Sequence, residues 1–136
     1  MQIKSILEDN KVAAKSLLIE ISIGDYLELA KKIYRKNNLQ RRRVRSSRTV
    51  YSLLKTDMLQ GCVIPPVVLA YTQPKGTLET GLREALLEDS DHFVLLDGLQ
   101  RTLTLMDIEA ETATQPNVQA EFLNRPMRCE IYEGIN

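Results

Sequence analysis

The segment from Phe93 to Met106 constrains the fold of this chain more than any other. It opens with an uninterrupted apolar run, Phe93–Leu96, whose length suits a strand buried on both faces. Asp97 and Gly98 then form a tight turn, and apolar residues recur at helical spacing after it. These apolar residues are Leu99, Leu103, Met106 and Ala110. The segment therefore predicts a strand, a turn and a helix in direct succession.

The rest of the chain predicts further short strands that alternate with helices. The other predicted strands are Leu17–Ile23, Val63–Tyr71 with Pro65 and Pro66 at its start, and Met127–Tyr132. The other predicted helices begin at Gly24-Asp25, at Ser46-Ser47, near Leu78 and at Val118, and Gly61 is placed to end the second of them. We therefore expect an α+β fold, a small mixed sheet flanked by helices, in one domain over residues 1–136 that can be the N-terminal part of a longer protein.

Composition narrows the class of protein. Apolar residues make up 43% and charged residues 26%, as in a globular chain, and the formal net charge of zero argues against binding polyanions by bulk charge. The two cysteines, Cys62 and Cys129, do not have metal-ligand spacing with each other or with His92, so we expect no zinc site, and we expect no haem. Two cysteines do not make a disulfide framework, so we expect reduced core thiols in a cytoplasmic protein. No run is long and apolar enough for a membrane span, and the N-terminus is not a signal peptide.

The turn at Asp97 is the first candidate site. The first backbone N–H groups of a helix lack partners and attract anions, and a glycine such as Gly98 lets a ligand approach the backbone. Arg101 and Thr104 are expected on the first exposed turn, where they can reach phosphate oxygens, while Asp97 can hold a metal ion, a water or a ribose hydroxyl. The alternative is a cap alone, with Asp97 at the N-cap and Gln100 at N3. The turn lacks the features of a Walker loop and of a three-glycine dinucleotide site.

A basic segment is the second candidate site. Nine basic residues and no acidic ones lie between Lys31 and Arg48. The candidate contacts to DNA or to a triphosphate are Gln40, Arg41, Arg42, Arg43, Arg45 and Arg48. Arginine suits forked contacts to phosphate, although runs of charge are often only solvated loops. His92, by contrast, is expected to be a surface or capping residue.

The stretch Val94–Leu105 resembles the Asp-Gly-Gln-Gln/His-Arg motif of the DGQHR-domain and GmrSD-type families. Both families belong to the ParB/sulfiredoxin-like superfamily. Leu39-Gln40-Arg41 is similar to the Gln-Arg entry of those domains, and Gly61–Leu69 to their Gly-x-x-Ile-Pro-Pro strand. With Met127–Glu133 as the following strand, the resemblance covers residues 39–133.

This resemblance implies a site for a nucleoside triphosphate, with magnesium, at the Asp97 turn. Asp97, Gly98, Gln100 and Arg101 match the motif by position, and Thr102 and Thr104 follow within reach of it. Asp97 and Gln100 are the candidate catalytic residues, and Asp97 the candidate magnesium ligand. Leu99 departs from the motif, which excludes sulfiredoxin chemistry and argues against nucleotide hydrolysis, because leucine cannot position a water or a metal.

The leading hypothesis is a nucleotide-binding domain of the ParB/DGQHR type in a prokaryotic or phage system of DNA modification, partition or defence. Its expected partners are a nucleotide and DNA, without a membrane, and an oligomer is compatible with the sequence. Two alternatives stay open. One is a DNA-binding regulator that uses the arginine run without nucleotide, and the other is a protein-interaction domain in which the turn is only a cap.

Overall fold

The structure, a computed structural model, describes residues 1–34 and 48–135, with the backbone alone for residues 48–53. Five strands and five helices follow one another in this part of the chain. They are β1 (Gln2–Asp9), β2 (Ala14–Ser22), α1 (Ile23–Ile33), α2 (Arg48–Leu59), β3 (Val67–Tyr71), α3 (Thr77–Glu88), β4 (Phe93–Asp97), α4 (Leu99–Glu111), α5 (Pro116–Asn124) and β5 (Pro126–Glu133). A 3₁₀ turn, Ser90–His92, precedes β4. The expected α+β class with a small mixed sheet is confirmed.

The strands form one sheet in the order β1-β2-β5-β3-β4. Among the five described strands, β3 and β5 run parallel and the other neighbours are antiparallel. Val67 pairs with Cys129 at the start of β3, and Val68 pairs with Asp97 at the end of β4. The end of β4 and the starts of β3 and β5 therefore lie at the same end of the sheet, which we call the Asp97 end.

The core lies on one face of the sheet. Alternate residues of β2, β3, β4 and β5 pack there with the apolar faces of the helices in a single buried cluster. Tyr71 and Phe93, neighbours on β3 and β4, stack with their ring centroids 4.4 Å apart. The opposite face carries Val94 and Leu96, which are exposed. The described part of the molecule is therefore a two-layer arrangement of helices on a sheet.

The N-terminal strand was missing from the sequence prediction. β1 pairs with β2 from Gln2↔Glu20 to Asp9↔Ala14, and β2 itself begins three residues before the predicted Leu17. Most residues of β1 are exposed, so the strand lacks the apolar alternation that would have identified it. Cross-strand backbone bonds hold it at the edge of the sheet.

The prediction that Phe93–Leu96 is buried on both faces is wrong. β4 pairs with β3, and its residues alternate between buried Phe93 and Leu95 and exposed Val94 and Leu96. A continuous apolar run cannot distinguish a strand that is buried on both faces from an edge strand with one exposed face.

The predicted position of Gly61 is confirmed, whereas the predicted start of the third strand at Val63 is wrong. β3 begins at Val67, directly after Pro65 and Pro66, so neither proline lies within the strand. Gly61 follows α2 with a φ of 86°, and the N–H of Cys62 donates to the Asp57 carbonyl at 3.0 Å. This is the hydrogen-bond pattern of a glycine-terminated helix.

Helix α1 confirms its predicted face and begins one residue earlier than expected. Ser22 is the N-cap, and its hydroxyl accepts from the N–H of Asp25 at 3.0 Å. The buried face includes Tyr26, Leu29 and Ile33, as the spacing predicts. Within the described ranges, no helix has the length and apolar content to cross a membrane.

Candidate functional site

The Asp97 turn joins β4 to α4 without the predicted cap. The N-cap residue is Gly98, with a φ of 103°, and Asp97 is the last residue of β4. The predicted capping box of Asp97 and Gln100 is therefore wrong. No described side chain accepts a hydrogen bond from the first-turn N–H groups of α4. These groups and the helix dipole favour an anion at this position.

The close approach at Gly98 is made by the protein itself. A Cβ at this position would lie 2.8 Å from Cγ1 of Val67 and 3.2 Å from Nη2 of Arg101. The expectation that Gly98 makes room for a ligand is therefore corrected, because β3 and the Arg101 guanidinium fill that space. The glycine is required by packing and by its left-handed backbone.

Arg101 connects the turn to the residue before β3. Its Nη2 donates to the Pro66 carbonyl at 3.0 Å and lies 3.5 Å from Oδ2 of Asp97. The side chain is 22% exposed, whereas that of Asp97 is 72% exposed. Nε of Arg101 and Nε2 of Gln100 are buried, and neither has a hydrogen-bond partner among the described residues. Buried donors without partners are uncommon, so the first turn of α4 has spare capacity for an acceptor.

The two threonines are directed inward. Thr104 is fully buried, and its hydroxyl donates to the Gln100 carbonyl at 2.8 Å, so the expectation that it is exposed is wrong. The hydroxyl of Thr102 bonds to the Gly98 carbonyl at 2.9 Å and to the hydroxyl of Tyr26 at 2.6 Å. Burial raises the pKa of Tyr26 well above its ordinary range. Thr102 thus ties α4 to α1.

The buried face of α4 differs from the predicted one. Leu99 is 7% exposed and packs in the core, but Leu103 and Met106 are only partly buried and Ala110 is exposed. The side chains of the helix that face the core are Leu99, Thr102, Thr104, Leu105 and Ile108. Two threonines occupy core positions because their hydroxyls bond within the helix, and apolar spacing cannot reveal this.

The basic segment falls outside the described residues. The predicted contacts Gln40, Arg41, Arg42, Arg43 and Arg45 all lie there, as do the predicted caps Ser46 and Ser47. Arg48 is the first residue of α2, and its side chain is outside the described part. The predicted phosphate role of this segment stays a prediction.

A cleft of about 380 Å³ opens at the Asp97 end of the sheet. The segment Gly61–Pro66, which leads from α2 into β3, contributes residues 61–64 to one wall, and the start of β5 and Arg125 contribute to the other. Arg125 is held by the carbonyls of Met58 and Leu59 at the end of α2. Cys62 is exposed, so the prediction of a core thiol is wrong for it and confirmed for buried Cys129.

A polar cluster lies at the opposite end of the sheet. Asp89 accepts from the Tyr71 hydroxyl at 2.6 Å, pairs with Nδ1 of His92 at 2.6 Å, and accepts from the Gln73 amide at 3.3 Å. The bonds from Tyr71 and then from His92 lower the pKa of Asp89. The cluster fastens the end of β3 to the turn before β4.

Glu133 has a structural role that was not predicted from the sequence. Its buried carboxylate accepts from the N–H groups of Gly76 and Leu78, both at 2.7 Å, and so caps α3 from β5. The signal was present in the sequence, because Glu133 continues the buried alternation of Met127, Cys129 and Ile131.

Neither a search for metal ligands nor comparison with known proteins identifies a ligand or a family for this chain. Among residues 1–34 and 48–135, no three His, Cys, Asp or Glu side chains cluster as metal ligands. In comparisons with family models, curated proteins and solved structures, no match to this chain was found.

Proposed function

We propose that this chain is a nucleotide-phosphate-binding domain of the ParB/DGQHR type, acting on or near DNA in a cytoplasmic modification, partition or defence system of a prokaryote or phage. The observation that supports it best is the first turn of α4. There, a helix N-terminus whose N-cap, Gly98, has no side chain lies within four residues of two buried donors without described partners, Nε of Arg101 and Nε2 of Gln100. A phosphate group would accept from the N–H groups of the helix and from these donors.

In this proposal, each residue of the motif has a role that agrees with its position. The N–H groups of Leu99 and Gln100 and the fork of Arg101 bind phosphate oxygens. Asp97, which is 72% exposed, holds a magnesium ion or a ribose hydroxyl. The hydroxyls of Thr102 and Thr104 already bond within α4 and take no part.

Binding without hydrolysis is the form of activity that the site favours. Hydrolysis needs a polar group that positions water against the phosphate. Leu99 stands in the motif where such a group is expected, and its side chain is packed in the core. The proposal is therefore a nucleotide-dependent binding domain rather than an NTPase.

A second candidate function rests on the basic segment from Lys31 to Arg48, which contains nine basic residues and no acidic residue. In this alternative, the chain binds DNA phosphates through Arg41, Arg42 and Arg43 without a nucleotide. DNA affinity would then fall steeply with salt and would not respond to nucleotide, since each phosphate contact releases counterions.

The test is a thermal-shift panel of CTP, GTP, ATP and their diphosphates, with and without magnesium. A ligand that binds only the folded protein raises the melting temperature. We expect one nucleotide to raise it in the wild type and not in Arg101→Ala, each compared with its own nucleotide-free value. Arg83→Ala, an exposed arginine on α3, is the matched control and should respond like the wild type. No shift with any nucleotide at millimolar concentration would refute the proposal.

A further inference from the structure

We infer that Arg101 is a latch that couples occupancy of the Asp97 turn to the Gly61–Pro66 segment. The inference rests on the proposed function for the chemistry of the ligand, a nucleoside phosphate. Without ligand, the guanidinium holds the segment through the Pro66 carbonyl. With a phosphate at the turn, the guanidinium turns to the phosphate and the segment is released.

The contacts of Arg101 support this exchange. One nitrogen, Nη2, makes both the 3.0 Å bond to Pro66 and the 3.5 Å approach to Asp97. The Pro66 carbonyl is a neutral acceptor. The ion pair between Arg101 and the exposed Asp97 carboxylate is of the solvent-exposed kind, which contributes little free energy. A phosphate offers charged oxygens in a geometry that matches the guanidinium fork, so its bonds are about twice as strong as those to a neutral acceptor. A phosphate that binds the fork of Nε, which has no described partner, and Nη2 competes with the Pro66 carbonyl for Nη2.

The Gly61–Pro66 segment has few other attachments. It lies outside the helices and strands, and hydrogen bonds to α2 hold its first two residues, Gly61 and Cys62. Ile64 is buried, but Cys62 is exposed and Val63 is 80% exposed. Buried Ile64, half-buried Pro66 and the Arg101 bond hold the second half of the segment, up to Val67, which is buried and paired within the sheet. Loss of the Arg101 bond removes the described hydrogen bond of this half, so residues 63–66 gain mobility between fixed ends.

Release of the segment changes a surface that a partner can read. Residues 61–64 line one side of the 380 Å³ cleft, opposite Arg125, Pro126 and Met127. The bonds of Arg125 to the end of α2 fix the other side. Phosphate at the turn therefore alters the width of the cleft without movement of the sheet.

The segment offers a site for a reporter beyond the residues that α2 holds. Val63 is 80% exposed, Cys62 is exposed and Cys129 is 1% exposed, so in a Cys62→Ser, Val63→Cys background a nitroxide spin label attaches to position 63 alone. Electron paramagnetic resonance then measures the mobility of the segment in the folded protein. We expect the ratio of mobile to immobile label to rise about fivefold in nucleotide-free Arg101→Ala, the factor that corresponds to one net hydrogen bond. Labelled Arg83→Ala should match the wild type.

The nucleotide arm separates the latch from the identity of the ligand. Wild-type protein with the stabilising nucleotide should show the mobility of Arg101→Ala, and the nucleotide should change nothing in that variant. An unchanged label in both Arg101→Ala and Arg101→Gln overturns the latch, even where nucleotide raises the melting temperature. A mobile label in these variants, with no thermal or spectral response of the wild type to any nucleotide, retains the Pro66 contact as a latch and overturns the proposed ligand.

Discussion

Gly98 shows how closely a single residue is constrained at the Asp97 turn. Two separate requirements meet there: a φ of 103° and the nearness of Val67 Cγ1 to the position of a Cβ. Gly61 meets only the first requirement, since its φ is 86° and nothing lies within 4 Å of its virtual Cβ. The pair therefore allows backbone strain and steric contact to be measured separately.

We predict that Gly98→Ala lowers the free energy of unfolding by roughly 2–4 kcal/mol, and Gly61→Ala by about 1 kcal/mol. The left-handed backbone disfavours alanine at both positions, and only position 98 adds a clash with β3. Urea denaturation of the two variants measures the difference. Equal losses would show that Val67 moves aside without cost.

Some features of single residues can be predicted from the local sequence, and others depend on contacts with residues distant in the chain. The strand-turn-helix from Phe93 was predictable because its apolar run and its glycine are local signals. The N-cap was not, since the choice between Asp97 and Gly98 depends on the packing of the turn against Val67. The buried hydroxyls of Thr102 and Thr104 were likewise invisible, because apolar periodicity counts threonine as polar.

Among the elements, β3, α3 and the 3₁₀ turn are joined by Asp89. Burial and the Asp89 carboxylate raise the pKa of Tyr71, while the Tyr71 hydroxyl and His92 lower the pKa of Asp89. The contacts that cause these pKa shifts stabilise the state in which Asp89 is charged and Tyr71 is neutral.

We predict that this cluster makes stability fall in acid. Because the folded pKa of Asp89 lies below its ordinary value of 3.8, its contribution is complete above that pH. The contribution is lost as the pH falls through the lower, folded pKa. The difference in unfolding free energy between wild type and Asp89→Asn should therefore be constant near neutrality and shrink in acid. Denaturation at several pH values, with Asp91→Asn as the exposed control, measures it; a difference independent of pH would contradict the assignment.

The ends of helices and strands were best predicted where a capping glycine lies at the boundary. The end of α2 at Gly61 was predicted, whereas β3 begins at Val67, four residues later than the predicted Val63, because the two prolines precede its pairing. β1 was not, since its exposed residues carry no alternation. Its position depends on pairing with β2, which is information from outside the strand.

In the part of the chain that the structure describes, the sheet has one covered face and one face with exposed apolar side chains. The α+β class was predictable from the succession of elements. The strand order and the exposure of one face were not, because both depend on contacts between segments distant in sequence. β4 shows the consequence, since its apolar run indicated burial on two sides and the fold covers one.

We predict that neighbouring leucines of β4 respond differently to truncation. Leu95 is 1% exposed on the core face, and Leu96 is 44% exposed on the other. Leu95→Ala should cost about 2–5 kcal/mol of unfolding free energy, and Leu96→Ala less than about 1 kcal/mol. Thermal and urea denaturation of the two single variants test the arrangement. Comparable losses would show that the face bearing Leu96 is covered.

The place of β5 in the sheet has a consequence for the chain as it leaves the ribosome. β5 is the last of the described strands in sequence, yet it lies between β2 and β3 and supplies Glu133 to cap α3, whose first residues precede Glu133 by more than 50 positions. Before β5 has been translated, the described strands can form the pairs β1-β2 and β3-β4, and Glu133 cannot cap α3. The described sheet can therefore be completed only after β5 has left the ribosome.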